Sequence, residues 1–242
     1  MLVSTEWVAA ALVFALANFV LGLVGFGNGL VAMALLPFLM SPVTAIIVLT
    51  IYTIVFAVVI FFPLRRDLVL GPVLDMLTGT LVGVPAGVWV LSTVPITALN
   101  RLIGSALVAI VLLEWAGLHP KRLTGRAWGF GAGVLAGLVG GAIGTPGPPV
   151  IVYATTQGWS QRTIKANLQA FFAVNQAVIL VGYWWAGLLD ATVWKLASSF
   201  ALPAAGGVAV GVLLFNRVDP LRFRRIVFGL LLTAGIVLIV RG

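Results

Sequence analysis

Apolar runs of about twenty residues follow one another along nearly the whole of this 242-residue chain. The clearest cover residues 43–62, 68–91, 99–118, 164–187, 191–215 and 223–240. A helix needs about 20 apolar residues to cross about 30 Å of hydrocarbon, so each run reads as one full span. Charged residues make up 8% of the chain. A soluble domain carries roughly 25%, so the polar surface here cannot clothe a water-soluble fold. The same composition excludes disorder, a coiled coil and a collagen-like chain. Lipid offers the backbone no hydrogen bonds, which leaves helices as the spanning elements. The expected fold is an all-α polytopic membrane protein.

Two regions fit no single span. Residues 7–41 are apolar but broken at Gly25-Phe26-Gly27-Asn28-Gly29, with Pro37 and Pro42 beyond. Residues 127–158 are broken from Gly140 to Pro149, a stretch holding Pro146, Pro148 and Pro149. Leu23-Val24-Gly25 in the first recurs as Leu138-Val139-Gly140 in the second, and Gly29 falls on Gly144. Gly83 and Gly87 recur as Gly207 and Gly211, and Pro95 and Gly104 as Pro220 and Gly229. Matches in the same order predict a duplication. Its parts are a first repeat over 1–118, a linker over 119–126 and a second repeat over 127–242.

Basic residues concentrate in cytoplasmic loops of membrane proteins. Arg65 and Arg66, then Lys121, Arg122 and Arg126, then Arg162 and Lys165, then Arg217, Arg222, Arg224 and Arg225 can all be cytoplasmic. That holds only if 127–158 crosses an even number of times, by dipping in and returning or by two short crossings. Applied to both repeats, the rule gives three full spans plus a hairpin in each. The second repeat is then inverted relative to the first, and both termini are external. Only Arg101, Lys195 and Arg241 remain outside. The first residues lack a basic stretch, so the first apolar run reads as retained rather than as a cleaved signal.

The 14 Lys and Arg against 6 Asp and Glu thus orient the chain in a bilayer rather than mark a nucleic-acid partner. Cysteine is absent and His119 is the one histidine, which argues against a metal site, a cofactor held through thiolates, or a Ser-His-Asp triad. No enzyme signature appears.

The breaks carry the functional signal. Unwound backbone at membrane depth is tolerated only inside protein or facing a watery cavity. In inverted-repeat transporters such breaks build the substrate site near the midplane. Helix N-termini there offer N–H groups and a positive dipole end to anions. The expected binding residues are therefore Gly27, Asn28 and Gly29 in the first break and Gly144, Thr145 and Pro146 in the second. The 164–187 span adds amides that should avoid lipid: Asn167 and Asn175 on one face, with Lys165, Gln169 and Gln176 on a neighbouring one. These amides line a polar path or bond between helices. Asp75, inside the 68–91 span, is a candidate for proton coupling or for pairing with Arg65 or Arg66. Gly125, Gly129, Gly133, Gly137 and Gly141 recur every four residues and form a smooth face for close helix contact.

The runs Gly22-Leu-Val-Gly-Phe-Gly-Asn-Gly29 with Pro37, Gly137-Leu-Val-Gly-Gly-Ala-Ile-Gly144 with Thr145 to Pro149, and Arg162-Thr-Ile-Lys-Ala-Asn167 resemble the sulfite exporter TauE/SafE family of membrane transporters. The resemblance implies export of a small sulfur-containing anion, such as sulfite, sulfoacetate or a related sulfonate, across a bacterial inner membrane. The expected mechanism is alternating access around a site between the two breaks. An anion channel on the same scaffold and a non-transporting membrane scaffold are the alternatives. The expected partners are the anion, the lipid bilayer and, through exposed glycine faces, a second copy in a homodimer.

Overall fold

The computed structural model describes residues 5–117, 122–214 and 220–241, without the side chains of 220–224. His119, Lys121, Arg217 and Asp219, and the side chains of Arg222 and Arg224, lie outside the described residues. Helices account for the described chain: α1 (Thr5–Val24), α2 (Asn28–Leu35), α3 (Pro42–Phe61), α4 (Leu70–Thr93), α5 (Ile96–Trp115), α6 (Arg126–Ile143), α7 (Gly147–Thr155), α8 (Gln161–Trp185), α9 (Ala191–Ser199), α10 (Ala201–Leu214) and α11 (Pro220–Arg241). Single 3₁₀ stretches follow α2 at Leu36–Phe38 and α3 at Phe62–Asp67. No strand occurs among the described residues.

Among the described residues six helices, α1, α3, α4, α5, α6 and α8, are long and apolar enough to cross a bilayer, and a bent α9–α10 pair makes up to seven. The chain is a multi-pass membrane protein. Each expected hairpin region resolves into one long and one short helix. α1 has 20 residues before α2 with 8, and α6 has 18 before α7 with 9. The run 191–215, expected to be one full span, bends by 48° at Phe200. Pro203 causes the bend, since it cannot donate to the carbonyl four residues back and its ring crowds it. The hydroxyls of Ser198 and Ser199 meanwhile turn onto the Lys195 carbonyl, each at 2.8 Å. Phe200 fills the corner, stacked on Phe14 at 4.9 Å and tilted against Trp7 at 5.4 Å.

The helices form two compact units, and one boundary between them falls within α3. One holds α1, α2, α5, α9, α10, α11 and the start of α3; the other holds the rest of α3, α4, α6, α7 and α8. In the first, α1 lies along α10. A Cβ on Gly207 would strike the Ala15 carbonyl, and one on Gly211 the Phe19 carbonyl. α5 meets α11 where Gly104 faces Gly235. In the second, α4 lies along α6, and Cβ atoms on Gly79, Gly83 and Gly87 would strike the carbonyls of Phe130, Val134 and Leu138. The stripe on α6 answers them: Gly133 meets Met76, Gly137 meets Thr80 and Gly141 meets Val88. Small residues at four-residue spacing on both helices let the backbones approach this closely. Gly125, the first glycine of the stripe, has no neighbour in reach and instead precedes α6 with φ 105°.

Tryptophans gather at helix ends. Trp115 ends α5, Trp128 opens α6, Trp184 and Trp185 end α8, and Trp194 lies near the start of α9. All five are exposed, as interfacial anchors in a bilayer should be.

Candidate functional site

The second unit holds the better-defined break. α6 ends when Gly144 turns left-handed at φ 70°, a conformation that favours glycine. Its amide donates to the Gly140 carbonyl at 3.0 Å, closing the helix. Gly144 therefore supplies the turn, and its N–H is already used. Pro146 caps α7, and Pro148 and Pro149 follow Gly147 in the first turn. A helix leaves its first amides without intrahelical acceptors. Prolines remove most of them here, so Gly147 is the one N–H donor in that turn. Thr145 stands beside it, 2% exposed, and its hydroxyl has no hydrogen-bond partner. Buried polar atoms are nearly always paired, and this hydroxyl at a helix start is left free to bond a water or a ligand.

Polar contacts hold the other end of α7. The Gln157 amide donates to the Leu123 carbonyl at 2.8 Å, and the Leu123 N–H donates to the Thr156 hydroxyl at 3.3 Å. The chain thus enters α6 and leaves α7 at one end of the unit. α7 is 9 residues long, about 13 Å at 1.5 Å per residue. α6, with 18 residues, is about twice as long, so the break is reached by one long and one short helix. Two ion pairs of this unit lie at the same end. Arg126 at the start of α6 pairs with Asp75 at 3.0 Å, and Arg162 at the start of α8 pairs with Asp67 at 2.8 Å.

Asp75 accordingly bonds Arg126 and neither Arg65 nor Arg66. Arg65 donates instead to the Phe62 carbonyl and lies over the Phe62 ring. The close packing of α4 on α6 explains the difference, because it sets the first turn of α6 against Asp75. A Cβ on Gly129 would come within 3.2 Å of both Asp75 and the Tyr153 hydroxyl.

The amides of α8 separate into two levels. Asn167 is fully buried near the charged end, where its Oδ1 accepts from the Val69 N–H at 2.8 Å and its Nδ2 has no partner. Gln169 is buried on the same turns. Asn175 lies eight residues further on, about 12 Å along the helix. Its Oδ1 accepts from the Thr80 hydroxyl at 3.0 Å. Ile179, one turn beyond, reaches Gly140, which also abuts Pro146. Asn175 thus shares a level with the break, whereas Asn167 caps the approach to α4.

In the first unit, Gly25 and Gly27 both take left-handed φ near 90° between α1 and α2, and Gly27 caps α2. Asn28 and Gly29 open that helix and are buried. No proline interrupts its first turn, so it keeps the amide set that α7 lacks.

The family model for the sulfite exporter TauE/SafE matches residues 10–238. The chain belongs to the TauE/SafE family. A relative from Cupriavidus necator, described as a probable sulfite/organosulfonate exporter TauE, is 33% identical over 167 residues. That match covers 65% of this chain and 63% of the relative. No solved structure matches the chain. TauE/SafE proteins are exporters rather than enzymes, which fits a break built of turns, amides and hydroxyls.

Three buried polar residues of this TauE/SafE chain escaped the sequence reading. Thr80 and Tyr183 hide among apolar neighbours, and their partners are distant in sequence. Asn18 is fully buried in α1, with Nδ2 on the Phe14 carbonyl and Oδ1 unpartnered. A lone amide within an apolar run was the signal that could have found it.

Proposed function

We propose that the chain exports a small sulfur oxyanion, sulfite or an organosulfonate, across a bacterial inner membrane by alternating access. The observation that carries this reading is the break before α7. It is buried and uncharged, with the orphan Thr145 hydroxyl beside the Gly147 amide. Donors of this kind suit sulfonate oxygens, and a helix N-terminus adds a positive dipole end. The name of the relative supports the sulfur chemistry.

Within this reading Thr145 contacts the anion directly, Gly144 and Pro146 shape the turn, and Asn175 holds the neighbouring wall. Gly27, Asn28 and Gly29 supply a second anion-binding helix start. Asn167 and Gln169 serve the inward approach. The linked repeats 1–118 and 127–242 supply the transport cycle. Their support is the matching glycine contacts, Gly83 and Gly87 on α6 and Gly207 and Gly211 on α1.

A thermal-shift screen of the purified protein tests the substrate class, because a ligand that binds only the folded state raises apparent stability. Sulfite, sulfoacetate or taurine is expected to raise the midpoint. A response to simple carboxylates alone would overturn the sulfur assignment.

A further inference from the structure

Four acceptors around the second break are occupied by protein donors. The Tyr183 hydroxyl donates to the Gly141 carbonyl at 2.8 Å, with the Gly140 carbonyl at 3.4 Å. Gly140 also accepts from Gly144. The Thr80 hydroxyl occupies Asn175 Oδ1 at 3.0 Å. Asn175 Nδ2 in turn reaches Gln176 Oε1 at a long 3.5 Å. Asn175 is fully buried and Gln176 nearly so.

The direction of these bonds matters. A threonine hydroxyl has one proton, and Asn175 Oδ1 receives it. The Asn175 amide therefore points its N–H groups toward Gln176. Gln176 accepts through its oxygen, which leaves its Nε2 as the open end of the chain. A carboxamide has two N–H protons and no formal charge. Gln176 lies one turn before Ile179, the residue packed against Gly140 beside Pro146. Four acceptors near the break are thus occupied by protein donors, while Gln176 Nε2, the Thr145 hydroxyl and the Gly147 N–H remain.

We propose that Gln176 contacts the anion through Nε2, and that Thr80 is a positioning residue that fixes the donor polarity of the Asn175–Gln176 chain. Selection for anions then arises by removing acceptors from the wall rather than by placing a cation in it. This inference rests on the anion-exporter reading given above. It adds Gln176 and Thr80 to that reading and gives the Tyr183 hydroxyl a role in covering the negative end of α6.

The test uses the full chain and two probes of fixed charge, methanesulfonate and ethanedisulfonate, with affinity measured by calorimetry and folding by thermal unfolding. Thr80→Val keeps the shape but removes the proton donor, freeing the Asn175 amide to turn its oxygen toward Gln176. Interaction energy scales with ligand charge. The second sulfonate lies further from the amide than the first, so an affinity loss of about 5-fold for the monoanion implies a larger loss for the dianion, below about 25-fold. Thr80→Ser retains the hydroxyl and is expected to bind close to wild type. Gln176→Glu, nearly isosteric, is expected to abolish binding of both probes while the chain still unfolds cooperatively. A purely structural role for Thr80 predicts equal losses for both probes and a poorer Ser than Val variant, and either result overturns the inference. If the wild-type chain binds neither probe, the anion-exporter reading fails first. If wild type binds and Gln176→Glu binds equally well, the inference fails and that reading stands.

Discussion

Thr145 and Asp75 are the two side chains whose surroundings make the sharpest demands. Thr145 is buried with an unpaired hydroxyl, which costs stability until something bonds it. Thr145→Val should leave the fold intact or slightly more stable and weaken anion binding by about 10-fold, the value of one hydrogen bond to a charged group. Calorimetry on the purified variant checks both halves of that statement. Asp75 differs in kind, because its pair with Arg126 at 3.0 Å already satisfies it. If export is coupled to protons at Asp75, protonation must break that pair. Asp75→Asn should then transport without responding to an imposed proton gradient. A variant that keeps wild-type gradient dependence in vesicles would remove Asp75 from the coupling. Burial could be anticipated for the amides of α8, since amides avoid lipid. Their partners could not, because Thr80 and Asn175 are 95 residues apart and nothing local links them.

At the scale of elements, the glycine stripe was legible from its four-residue spacing, and its partner was not. That partner is α4, where Gly79, Gly83 and Gly87 lie against the same stretch of α6. The two backbones touch, so an added side chain has nowhere to go. Gly133→Leu should prevent accumulation of folded protein. Gly131→Leu, on the same helix with nothing within 4 Å, should be tolerated. Expression with size-exclusion profiles in detergent separates the two. Because Gly133, Gly137 and Gly141 are used inside the unit, they leave little of the stripe as a surface for a second copy. The α9–α10 bend shows the opposite case. Composition made 191–215 one span, whereas Pro203 and two serines bent it. A hydropathy pattern records how apolar a segment is, and a bend depends on which carbonyls lose their donors. The two breaks were legible because glycine and proline act on the backbone directly. Their inequality emerges only from the register of Pro146, Pro148 and Pro149 at the start of α7.

For the whole molecule, charge spacing carried more than hydrophobicity did. Apolar content named the solvent. The spacing of the basic residues predicts an even number of crossings over 127–158, and the Leu123–Gln157 contact brings the two ends of the α6–α7 segment together. The chain has no cysteine, so single substitutions give clean labels. In intact cells an impermeant maleimide should label Thr93→Cys and Asp190→Cys and spare Thr124→Cys and Gln161→Cys. The reverse pattern would invert the proposed orientation. The central claim is that a sulfur oxyanion passes through the chain by bonding the donors of the break before α7. Uptake of labelled sulfoacetate into inside-out vesicles tests it most directly. The account predicts saturable uptake that Thr145→Val reduces about 10-fold at low substrate. Uptake no greater than in vesicles without the protein, or undiminished in Thr145→Val, would contradict it.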